Sequence, residues 1–145
     1  MTRISFYLLA DSGPEARLRV ACRLAEKAYL QGQGVYLHAD GPAQAQRLDE
    51  QLWSFRDGAF VPHARYDEEY REPVVIGHEA AAQPPQTGVL INLAEAVPAF
   101  FGRFDRLLEI VSAGEEARGR ARERFRFYRD RGYDLETHEL APRNR

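Results

Sequence analysis

Short apolar runs alternate with stretches of helical period along the first half of this chain, and that alternation restricts the fold more than any other feature. Ile4-Ser5-Phe6-Tyr7-Leu8-Leu9 reads as a buried strand, ended by Asp11-Ser12-Gly13-Pro14. Ser12 or Asp11 suits a helix N-cap, and Pro14 suits a first turn. Over residues 15–31, Leu18, Ala21, Cys22, Ala25, Ala28 and Tyr29 recur at helical spacing, and Gly32 and Gly34 then end the helix. Val35-Tyr36-Leu37-His38 is a second strand, Asp40-Gly41-Pro42 a turn, and residues 43–55 a second helix. Strand, helix, strand, helix predicts an α/β chain with a mostly parallel sheet flanked by helices.

The second half continues the theme less clearly. Residues 64–71 are polar and without period, so they read as loop. Residues 73–77 form a short strand, residues 78–88 a proline-bearing surface loop, and residues 89–93 the most continuous apolar strand, expected at the centre. Residues 104–111 fit helix or edge strand by pattern, with strand favoured in the latter half. A helix is predicted over residues 114–131, ending at Gly132, after which Tyr133-Asp134-Leu135 packs back. At 145 residues, with no repeat and no linker, the chain is expected to be one domain over 1–145.

Composition excludes several functions. A formal charge of −2 gives no whole-molecule attraction to DNA or anionic membrane. One cysteine, Cys22, rules out an internal disulfide and the cysteine-based zinc patterns. No apolar stretch approaches a membrane span and no signal peptide is evident, so a cytoplasmic protein is expected. The loop after the first strand lacks both the glycine fingerprint of a dinucleotide site and the Gly-Lys-Ser/Thr of a phosphate loop. His38, His63, His78 and His138 stand in four separate contexts, and no serine or cysteine stands where a nucleophile would. Neither a catalytic constellation nor a cofactor or metal set emerges.

Two stretches invite partners instead. In 115–131 there are seven Arg and four acids, leaving 13 basic and 18 acidic residues elsewhere of the chain's 20 and 22. Arg118, Arg122 and Arg126 form a stripe at i, i+4, i+8 beside the apolar row Ala117, Ala121, Phe125 and Tyr128. Guanidinium groups bordering a ring suit a carboxylate-ended peptide. The alternatives are a solvated face laced with intrahelical pairs, such as Glu123 with Arg126 or Arg120, and direct nucleic-acid binding. The other stretch is LDEQLWSFRDGAFVPH, residues 48–63. Leu48, Leu52 and Phe55 share one face, while Trp53 stands about 100° away. Trp53 and Phe60, with Arg56, Pro62 and His63 as neighbours, read either as a core cap or as an interaction anchor.

These residues resemble the chi subunit (HolC) family of bacterial DNA polymerase III holoenzyme, nearly end to end. The similarity is carried by Phe6-Tyr7-Leu8-Leu9, Leu48-Asp49-Glu50 with Leu52-Trp53, Phe60-Val61-Pro62-His63, Pro73-Val74 and Leu90-Ile91-Asn92-Leu93. It runs on through Ala121-Arg122-Glu123-Arg124, Tyr128-Arg129 and Gly132-Tyr133-Asp134-Leu135. The resemblance implies a Rossmann-like domain with no catalysis of its own and no cofactor. It implies that Trp53 and Phe60, with Arg56, Pro62 and His63, meet the psi subunit of the clamp loader, or an XPD-like helicase where psi is absent. It also implies that Arg118, Arg122, Phe125 and Arg126 hold the acidic C-terminal tail of single-stranded DNA-binding protein (SSB), so that DNA is met only indirectly. Phe125 stands where some relatives carry Tyr, and Arg126 where they carry Lys. The competing expectations are a nucleotide-dependent enzyme and a direct single-stranded DNA binder.

Overall fold

A computed structural model describes residues 1–66, 72–80, 82–84 and 86–141. In chain order the elements are β1 (Arg3–Leu9), α1 (Pro14–Leu30), β2 (Val35–His38), α2 (Pro42–Ser54), β3 (His63–Arg65), β4 (Val74–Gly77) and β5 (Val89–Asn92). A 3-10 turn (Phe101–Arg103), β6 (Arg106–Val111), α3 (Glu115–Asp130) and β7 (Leu135–Leu140) follow. The strands make one sheet in the order β3-β4-β2-β5-β6-β1-β7, and every pairing is parallel. β5 stands in the middle, as its unbroken apolar run predicts for a strand covered on both faces.

Helices cover both faces. Leu18, Ala21, Cys22 and Ala25 of α1 join Leu48 and Leu52 of α2 on one side. On the other, Ala121 and Tyr128 of α3 pack with Phe100, Phe101 and Phe104 against Ile4, Phe6 and Leu107. Cys22 is fully buried, and burial pushes its thiol up to about 12, so it acts as a small hydrophobe. No helix among the described residues is long and apolar enough to cross a membrane.

Several expectations need correction. α1 is not capped by Ser12 or Asp11: its N-cap is Gly13, at φ 97° and without a side-chain cap, because Pro14 already fills the first turn. Ala64 and Arg65, at the start of the expected loop, instead continue from His63 as a short edge strand paired with β4, while positions 67–71 lie outside the described residues. The stretch 78–88 is not wholly superficial, since Ala82 and Pro84 are buried; Ala81 and Pro85 lie outside the described residues. β6 is an interior strand, not an edge, because β1 and β7 add beyond it. The turn at Tyr133 leads into β7, six residues that the apolar pattern did not announce.

His38, at the carboxyl end of β2, is 5% exposed and packs edge-on against Phe100 at 5.3 Å. Burial, with His78 nearby, lowers its pKa from 6.5 to about 4. A histidine depressed in the folded state contributes stability that is whole above the unfolded pKa and is lost as pH falls. The window is therefore pH 6.5 down to 4, with a loss of about 3 kcal/mol by pH 4. Urea denaturation at pH 7 and pH 4 should show that excess loss in the wild type over His38→Gln; equal losses would contradict it.

Candidate protein-interaction surfaces

The end of α2 and the turn after it present two aromatic rings to solvent. Its inward row closes with Leu48 and Leu52, so Trp53, one residue on, is turned out of the core and is 58% exposed. After the Arg56–Gly58 turn, in which Gly58 adopts φ 77°, Phe60 emerges 65% exposed with its ring 6.3 Å from the indole. Neither residue caps the core.

The remaining predicted members support these two rings. The His63 ring is buried and lies 4.8 Å from Trp53, with Nδ1 bonded to the Val61 carbonyl at 2.7 Å. Its Nε2 stands 3.3 Å from Asp49 without hydrogen-bond alignment. Arg56 donates through two nitrogens to Glu26 of α1, at 2.6 and 3.1 Å, which ties the turn to the body of the protein. Pro62 is half-buried. Two exposed aromatics on a braced turn form a preorganised patch of the kind that anchors a partner.

α3 is held in place by a buried network. Glu109 of β6 is wholly buried and accepts hydrogen bonds from Arg124 Nε at 3.0 Å, Tyr128 Oη at 2.7 Å and Asn92 Nδ2 at 3.1 Å. Arg124 also donates to the Glu95 carbonyl at 3.1 Å. Burial raises the Glu109 pKa, while Arg124 and the three hydrogen bonds oppose that rise. Burial likewise pushes the Tyr128 hydroxyl far up, so it remains a donor. This cluster was missed in the sequence, although an acid inside Leu107-Leu108-Glu109-Ile110-Val111 was a signal: a carboxylate there needs partners.

The outer side of α3 carries the predicted arginine stripe. Phe125 is half-buried with its ring 5.4 Å from Phe6, and Arg122 and Arg126 are exposed. Neither Arg122 nor Arg126 makes an ion pair or hydrogen bond among the described residues; the intrahelical pairs that do form there are Arg120 with Glu116 and Arg129 with Asp130. Arg118 is occupied differently: it donates to the Leu9 carbonyl at 2.8 Å and to that of Ser112 at 3.4 Å. It clamps the ends of β1 and β6 and borders the stripe. Two shallow cavities along α3, lined in part by Glu95, Arg120 and Arg124, lie on its opposite flank and include neither Arg122, Phe125 nor Arg126.

The crevice over the carboxyl ends of β1 and β6, where open parallel sheets receive nucleotides, is largely filled. Arg17 donates to the Ile110 carbonyl at 2.8 Å, and Arg118 and Arg124 lie beside it. A space of about 90 Å³ remains, well below the size of an ordinary ligand pocket. Among the described residues no cluster of three or more His, Cys, Asp or Glu could hold a metal ion.

Comparison with known proteins agrees with the residue-level resemblance. Residues 1–136 match the family model described as DNA polymerase III chi subunit, HolC. A DNA polymerase III subunit chi from Pseudomonas aeruginosa is 46% identical over 97% of this chain and 98% of its own length. The corresponding proteins of Haemophilus influenzae and Escherichia coli are 29% and 30% identical, each over 94% of this chain and 96% and 97% of their own lengths. Among solved structures, T4 UvsW superposes with a TM-score of 0.66 at 6% identity, over 96% of this chain and 41% of that one, which shows the fold alone. The chain therefore belongs to the chi subunit family of DNA polymerase III and is an accessory subunit of DNA replication.

Proposed function

We propose that this chain is a non-catalytic adaptor that holds the clamp loader, through psi or a helicase of the XPD type in its stead, with one surface and the SSB tail with another. The observation that carries the reading is the separation of two sets of exposed or half-buried side chains. Trp53 and Phe60 sit where α2 meets the β3 edge, whereas Arg122, Phe125 and Arg126 sit on α3, over the other face and toward the β7 edge. One partner need not displace the other.

Roles follow from the surroundings of each residue. Trp53 and Phe60 supply the buried aromatic area of the clamp-loader contact, and Arg56, Pro62 and His63 fix the turn that presents them. Arg122 and Arg126 meet the carboxylates of the SSB tail, Phe125 offers a ring to its apolar end, and Arg118 borders the site while holding β1 and β6 together. Trp53→Ala or Phe60→Ala should weaken the psi-side contact by about 2 kcal/mol or more, roughly thirtyfold, the range of an interface hot spot. Pull-downs with both partners should show psi lost and the SSB tail retained. Loss of both together from a folded variant would refute two separate surfaces.

A further inference from the structure

α1 packs across β2, β5 and β6, and it leaves the same sheet face partly open at the β1–β7 end. There a cavity of about 240 Å³ lies between α1 and the ends of the two strands. Its floor is apolar: Leu9 and Leu140 are register partners, and Ala16 and Val20 face them from the helix. Next along the strands, Tyr7 stacks on His138 at 4.9 Å, which continues the floor as a shelf. On the rim stand Arg19 and Arg23, one helical turn apart. Neither makes an ion pair or hydrogen bond among the described residues, whereas Asp11, which also lines the cavity, is already engaged within the chain.

We propose that this groove is a further peptide-docking site, separate from both surfaces above. It takes a segment of another protein in which an apolar side chain is followed by a carboxylate. The cavity is the size of one large side chain, so one residue enters and the chain continues along the Tyr7–His138 shelf. The guanidinium groups of Arg19 and Arg23, unpaired among the described residues, complement the carboxylate, and Arg is suited to hold it through paired N–H donors. A nucleic-acid backbone fits poorly, because it needs a basic track and not two cations over an apolar floor.

The test is a heteronuclear NMR titration of the full chain with acetyl-Glu-Asp-Leu-Leu, as free acid and as C-terminal amide. Amide shifts are expected at Ala16, Val20 and Leu140, with at least tenfold weaker binding in a folded Arg19→Ala/Arg23→Ala variant and several-fold weaker binding of the amide. Arg122→Ala/Arg126→Ala should leave these shifts unchanged. Groove shifts without any on α3 would count against the SSB-tail surface and still support the groove. Shifts that survive Arg19→Ala/Arg23→Ala, or that are absent altogether, would overturn the proposal. Binding that appears only once residues 142–145 are removed would also overturn it, by assigning the groove to the chain's own end.

Discussion

Replacing Glu109 with Ala is expected to destabilise the protein by about 3–5 kcal/mol, the cost of leaving one partner of a buried ion pair uncompensated. Among the described residues, the variant strands Arg124, which is 8% exposed, with only the Glu95 carbonyl to receive its donors. It also removes the acceptor for Tyr128 Oη and for one hydrogen bond of Asn92 Nδ2. Each orphaned buried donor adds about 1–3 kcal/mol, so the upper part of the range is expected. Replacing the whole group by apolar residues, as Glu109→Leu/Arg124→Leu/Tyr128→Phe, should cost less than the single change, because no charge remains unpaired. Urea unfolding midpoints compare the two; a single variant as stable as the triple would show that the pair is not under strain when broken. The network matters beyond stability because Arg124 and Tyr128 fix the rotation of α3, and that rotation turns Arg122 and Arg126 outward.

The double variant Arg122→Ala/Arg126→Ala is expected to reduce binding of an SSB C-terminal peptide by about 3–6 kcal/mol. A hydrogen bond to a charged group contributes about 1.5–3 kcal/mol, so each single change should cost that much. The fold should be untouched, since both side chains are exposed and neither holds another group in place among the described residues. Added salt should weaken the wild-type interaction and affect the double variant little, because the screened attraction is the one removed. Calorimetry giving the same affinity for folded variant and wild type would remove the stripe from the account. Arg118 should behave differently. Its bonds to the Leu9 and Ser112 carbonyls tie it to the sheet, so Arg118→Ala should lower stability as well as affinity.

The parts of the fold legible in the sequence are those with a one-sided or wholly apolar pattern. β1, β2 and β5 are buried runs, and α1 and α2 carry apolar residues at helical spacing, so period alone located them. β7 is different: Leu135–Leu140 is mostly exposed, and as an edge strand it needs only one neighbour. With charges at Glu136 and Glu139 it carries no apolar run to detect. β3 is three half-buried residues and left even less trace. In the candidate surfaces, the residue types were visible but their state was not. Whether Trp53 capped the core or stood in solvent depended on where α2 stops packing. Whether Arg118 was free or committed depended on the Leu9 carbonyl, 109 positions away in sequence.

The adaptor account is tested most directly by titrating the SSB C-terminal peptide into this chain alone and into the chain saturated with psi. Two surfaces on opposite faces predict one peptide per chain with the same affinity in both titrations, and a stable complex of all three components. A peptide that displaces psi, or an affinity that collapses when psi is bound, would contradict the account, because the partners would then share one surface.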